Sequence, residues 1–143
     1  MAADPHNLQR FVEAQDPVVE RVLAELRAGS KRSHWMWFIF PQVKGLGRSG
    51  TAWDFAIGSR REAEAYLAHP VLGPRLRQCS RLLADVQGRT AHQILGTPDD
   101  LKCQSSMTLF AAVAADNAVF EEVLQKYFAG ERCEYTLDFL TRY

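Results

Sequence analysis

Ser33-His34-Trp35-Met36-Trp37-Phe38-Ile39-Phe40-Pro41-Gln42 is the stretch whose reading decides the fold. As a strand it would put a sheet into the chain. As a helix it leaves every element helical. The local signals are divided. Aromatic residues and Ile39 favour a strand, yet the run lacks the polar alternation of a half-buried one. In a helix, His34, Trp37 and Phe38 would share one face, and Trp35 and Ile39 another. Pro41 ends the run in either case, because it has no N–H and restricts Phe40.

Upstream, Asp4-Pro5 and Asp16-Pro17 read as matching helix starts, with aspartate accepting from free N–H groups and proline tolerated in the first turn. They predict helices over 5–14 and 17–28. Leu8, Phe11 and Val12 face inward in the first, and Val19, Val22, Leu23 and Leu26 in the second. Gly29 stops the second. Glu13, Glu20, Arg21 and Glu25 are expected on solvated faces. Downstream, residues 42–58 read as a long connection whose second half, with Trp53, Phe55 and Ile57, is tacked onto the core.

Helical signals then dominate. Ser59-Arg60-Arg61-Glu62 is a capping box opening a helix that His69-Pro70 breaks. A helix carrying Leu76, Cys79, Leu82, Leu83 and Val86 follows, then a short one over 91–95. Thr97-Pro98-Asp99-Asp100 predicts a cap, an N-terminal proline and two acids at the positive end of the next helix. That helix, 99–115, is apolar nearly all round and so belongs in the middle of the molecule. Asn117 is the expected cap of another, and 134–142 forms the last. The expectation is an all-α, multihelical globular domain over 1–143, with an ordered core from about residue 5, about eight helical segments and at most one strand.

Composition narrows the function classes. Of 143 residues, 47% are hydrophobic and 24% charged, a globular balance. Lys+Arg and Asp+Glu both number 17, so no net field recruits nucleic acid or an anionic membrane, and neither partner is expected. Cys79, Cys103 and Cys133 are odd in number and widely spaced, so they read as reduced small hydrophobes. The first residues lack the pattern of a signal peptide, and the expected compartment is a reducing cytoplasm. Neither a metal site nor a cofactor is implied, since no histidine stands at ligand spacing from another or from a carboxylate.

Candidate chemistry gathers around the opening run. Gly45, Gly47 and Gly50 spell G-x-G-x-x-G, but a dinucleotide fold needs a preceding strand and a parallel sheet, which are not expected here. The same glycines let a backbone approach a ligand, and Lys44 and Arg48 add positive charge, so an anion-binding loop and a plain connection are both open readings. His34, among tryptophans, is the candidate acid/base or stacking group, against a simply buried histidine. Lys102, Ser105 and Ser106 share a helix face. As a serine–lysine nucleophile they compete with ordinary small residues at a helix crossing. With Gln104 and Thr108 they are a candidate polar wall inside an apolar helix. Asp54, Glu62 and Glu64 read as solvated or capping carboxylates.

Several blocks together resemble the bacterial family called domain of unknown function 1810: the opening run, Gly45-Leu46-Gly47-Arg48-Ser49, residues 64–76, and Asp99 through Phe110. The resemblance spans about residues 5–143. It implies an all-α fold and a helical aromatic run. It brings no established activity. Carried onto this chain, its motif positions are His34, Trp35, Trp37, Phe38, Pro41, Gln42, Gly45, Gly47, His69, Pro70, Gly73, Lys102, Ser105, Ser106 and Phe110. Some members bear the label calpastatin, the name of a largely disordered inhibitor, whereas the aromatic content here fits a packed domain.

Two readings of function follow. In the first, Trp37, Gln42, Lys44, Gly45, Gly47, Arg48, Lys102, Ser105 and Ser106 hold a small anionic, ring-containing ligand of the nucleotide or nucleotide-sugar type. His34 would then carry any hydrolytic or transfer step. In the second, the tryptophans anchor a protein partner without catalysis.

Overall fold

The structure, a computed structural model, describes residues 3–143, so Met1 and Ala2 of the predicted domain and N-terminal reading lie outside the described residues. The first two helices, α1 (Gln9–Gln15) and α2 (Val19–Ala28), start later than the proline signals predict. The Asp4 carboxylate accepts from the N–H groups of Leu8 at 2.7 Å and Gln9 at 3.0 Å, so it caps α1 from one turn upstream. Asp16 does not cap α2. Its N–H continues α1 by bonding the Val12 carbonyl, and its carboxylate pairs with Arg75 at 2.9 Å.

The aromatic run forms a short helix, α3 (Met36–Ile39). Trp35, Met36, Ile39 and Phe40 are buried, Trp37 and Phe38 half-buried, and His34 exposed. Two buried polar side chains pin this run, and one corrects an expectation. Glu25 is only 8% exposed rather than solvated. One of its oxygens accepts from the N–H groups of Arg32 (2.8 Å) and Ser33 (3.1 Å) and from the Trp35 indole (2.9 Å), and the other accepts from the Ser33 hydroxyl. Gln15, on α1, donates to the Phe38 carbonyl at 2.7 Å and the Tyr66 hydroxyl at 3.0 Å. Stiff aromatic packing and saturated polar anchors thus hold the segment from both sides.

The predicted connection over 42–58 is more ordered than a loop. Val43 and Ile57 form a parallel bridge, with the Ile57 N–H on the Gln42 carbonyl and the Lys44 N–H on the Ile57 carbonyl. Between them stands α4 (Gly50–Asp54), capped by the Ser49 hydroxyl, which accepts from the Ala52 N–H at 3.0 Å. Ile57 is buried and Phe55 half-buried, but Trp53 is 61% exposed and not part of the core. Arg10 locks the far end through the carbonyls of Asp54 (2.8 Å) and Ala56 (3.0 Å) and the Glu62 carboxylate (2.8 Å).

The remaining helices are α5 (Arg60–Ala68), α6 (Leu72–Asp85), α7 (Ala91–Leu95), α8 (Asp99–Val113), α9 (Ala118–Phe128) and α10 (Glu134–Arg142). The Ser59 hydroxyl caps α5 as predicted, while Glu62 turns to the Gly58 N–H and Arg10 instead of completing the box. His69 breaks α5 and then serves α6, its Nδ1 accepting from Val71 and Leu72 at 3.1 and 3.2 Å. Neither Thr97 nor Asn117 supplies the expected side-chain cap, and the Asn117 amide donates to the Ala111 carbonyl instead. Ten helices form among the described residues where about eight were expected; α3 and α4 are the additions, and there is no strand.

The helix read as apolar on every side does sit centrally, α8 packing against α5, α7, α9 and α10. Aromatic rings run through the core from Phe11 to Tyr66 (5.1 Å), Phe110 (5.4 Å) and Phe120 (6.0 Å). Cys79 and Cys103 are buried, and burial pushes the Cys79 thiol up to about 12. Among the described residues no helix is long and apolar enough to cross a membrane.

Candidate functional site

The start of α8 faces the aromatic run and the glycine loop across a cleft of about 510 Å3. Trp37, Gln42, Gly47, Arg48, Lys102 and Ser105, all singled out in the sequence, line it. Their meeting follows from local structure. The Glu25 and Gln15 anchors fix the aromatic segment, the Val43–Ile57 bridge folds the loop back beside it, and α8 is held by the core. Gly47 is required by close approach, because a Cβ there would lie 2.3 Å from the Ala52 Cβ.

Lys102 is the cleft's chief charge. Its ammonium lies 4.9 Å from the centre of the Trp37 ring and 3.6 Å from an Asp99 carboxylate oxygen. The same carboxylate is engaged by Lys31 at 2.8 Å, so one aspartate is shared between two lysines and the local balance stays positive. Arg48 is exposed and has no carboxylate partner among the described residues. Asp99 and Asp100 already offset the positive end of α8, so side chains, not the helix dipole, supply the attraction for an anion.

A second hollow of about 410 Å3 adjoins the first and shares Trp37, Pro98 and Lys102 with it. His34 lines this hollow, beside Lys31 and Arg32, rather than the main cleft. No hydrogen bond among the described residues orients either of its ring nitrogens. Lys44 and Gly45 belong elsewhere, in a hollow of about 390 Å3 under α10, with Trp53, Tyr135 and Tyr143. The Tyr135 hydroxyl donates to the Lys44 carbonyl at 3.1 Å and fills the space beside Gly45, whose φ of +98° itself disfavours a side chain.

The polar wall of α8 divides. Ser105 lines the cleft but its hydroxyl donates to the Leu101 carbonyl at 3.1 Å, so it forms no nucleophile pair with Lys102. Ser106 is fully buried away from the cleft, its hydroxyl without a partner among the described residues. Gln104 and Thr108 hold the α9–α10 connection at Glu131 and Cys133. The dinucleotide-fold reading of the glycines has no sheet to rest on. Among the described residues no cluster of three metal-ligating side chains occurs.

Sequence reasoning missed Pro98 and Leu101 in the cleft wall. Residues 98, 101, 102 and 105 recur at helical spacing, so the stripe was present as a signal. Lys31 and Arg32 in the second hollow had no such signal, because Glu25, on α2, decides where that segment runs through the N–H groups of Arg32 and Ser33.

Fold and site define a multihelical protein with a basic, aromatic-walled cleft. The chain belongs to the family described as protein of unknown function (DUF1810), whose model matches residues 5–140. Among solved structures, it is similar to the crystal structure of the conserved hypothetical protein Rv1873 from Mycobacterium tuberculosis. That protein is 51% identical, with a TM-score of 0.96 over 98% of this chain and 100% of that one. No curated protein matches the chain.

Proposed function

We propose that the cleft between α3, the glycine loop and the start of α8 binds a small anionic ligand carrying a ring, of the nucleotide or nucleotide-sugar type. The observation that carries this reading is the Lys102 ammonium poised over Trp37, with Gln42 and Arg48 on the same wall. The cation addresses the anion, the indole offers a stacking plane, and the amide offers a donor and an acceptor. Its volume, about 510 Å3, suits a mononucleotide-sized occupant. Binding, not catalysis, is what the geometry supports best, since His34 is exposed and unoriented and Ser105 is spent on the helix backbone.

Thermal-shift and calorimetric titration with AMP, ADP, UMP and UDP-glucose tests this. Stabilisation by at least one nucleotide is expected, with tenfold or greater loss of affinity in Lys102→Ala and in Trp37→Ala. Absence of any ligand-dependent shift would remove the proposal.

One observation favours the second reading, a protein-interaction surface. Trp53, Tyr135 and Tyr143 are exposed together around the hollow under α10. The anchors would then be these residues, not the tryptophans of the aromatic run, of which Trp35 is buried.

A further inference from the structure

We infer that the site takes a two-part ligand: a nucleoside diphosphate bearing a second ring or sugar, with its phosphates astride Lys102 and its two ends in the two adjoining hollows. This rests on the nucleotide reading of the main cleft and extends it to the second.

Three observations lead here. First, the hollows are not separate sites. Trp37, Pro98 and Lys102 line both, so the boundary between them is a shared wall topped by the one ammonium that faces each side. A ligand confined to one hollow would leave that ammonium half used. Second, the sizes match two bulky groups joined by a short linker, at about 510 and 410 Å3. Third, cations outnumber acids in the lining of the two hollows taken together. Arg48 stands in the first hollow, Lys102 at the boundary, and Lys31 and Arg32 in the second, against Asp99 as the single acidic lining residue. In a chain of net charge zero, cations spread over both hollows attract an anion that spans them more than one confined to either.

The second hollow also has its own recognition surface. Met36 and Leu95 give it an apolar floor, while His34 and Thr97 bring an imidazole and a hydroxyl to its rim. That mixture suits a sugar or a small ring. The Arg32–Ser33 side of the hollow is held in place, since Glu25 accepts from the N–H groups of both and from the Trp35 indole, so little ordering is required there on binding.

The test compares AMP, ADP and ADP-glucose, and in parallel UMP, UDP and UDP-glucose, by isothermal titration calorimetry on wild type and on Arg32→Ala and His34→Ala. Both substituted side chains are exposed, so folding is expected to survive, and circular dichroism checks it. In wild type, at least one diphosphate sugar should bind tenfold or more tightly than its parent diphosphate. In each variant that ratio should fall below threefold. Equal affinities of diphosphate and diphosphate sugar would overturn the two-part inference and leave the cleft reading standing. So would a sugar advantage that survives both substitutions. No binding by any of the six compounds would overturn both.

Discussion

At the scale of single residues, Glu25 does the most to shape the site without touching it. Burial by itself would raise its pKa. Hydrogen bonds from the Ser33 hydroxyl, the Arg32 amide, the Trp35 indole and the Ser33 amide outweigh that and hold the carboxyl down at about 2, against 4.5 for a free side chain. A depressed carboxyl stabilises the fold above its unfolded pKa, and that contribution drains away as pH falls from 4.5 toward 2. Allowing for its partly hydrated rim, the contribution is on the order of 2 kcal/mol. Glu25→Gln, which turns an amide N–H toward other donors, should therefore cost about 2–3 kcal/mol at pH 7. Urea unfolding should show the gap to wild type closing through that acid window, and a constant gap down to pH 2 would contradict the assignment. Thr136 is the opposite case. Its buried hydroxyl has no partner among the described residues, so Thr136→Val should raise stability by about 1 kcal/mol in the same assay.

At the scale of elements, the glycine loop and α4 form one unit, closed by the Val43–Ile57 bridge. Gly47 and Ala52 touch inside it. Gly47→Ala should displace α4, lower nucleotide affinity severalfold and cost about 1–3 kcal/mol. Removing the opposing methyl in Gly47→Ala/Ala52→Gly should restore affinity, and a double variant as weak as the single one would refute the contact. This unit also marks where the sequence was legible and where it was not. Helices with apolar stripes, such as α2 with its stop at Gly29 and α10, were readable because their periodicity is local. The aromatic run was helical as the family resemblance implied but not legible from its own residues, because α3 is one turn of helix held by Gln15 and Glu25 from other helices. The cap at Thr97 and the solvated Glu25 failed for a related reason. A side chain's nearest backbone donors in sequence are not always those that tertiary packing brings to it. The cleft was half legible. Residue chemistry singled out Trp37, Gln42, Arg48 and Lys102, but only the fold could separate them from Lys44, Gly45 and Ser106.

At the scale of the whole molecule, zero net charge conceals an uneven distribution. Arg81 is matched by Asp85 and Glu122, and Arg132 by Glu121, and none of these residues lines either hollow. Along the two hollows cations outnumber acids, so ligand binding should weaken as salt rises, whereas folding should respond little. The central claim, that the Lys102–Trp37 pair receives a ring-bearing anion, is tested most directly by titrating 15N-labelled protein with ADP and following its amide and indole resonances. The account predicts saturable shifts of the Trp37 indole N–H and the Gln42 side-chain amide, abolished in Lys102→Ala. Shifts confined to Trp53 and Tyr135 under α10, or no shifts at millimolar ADP, would contradict it.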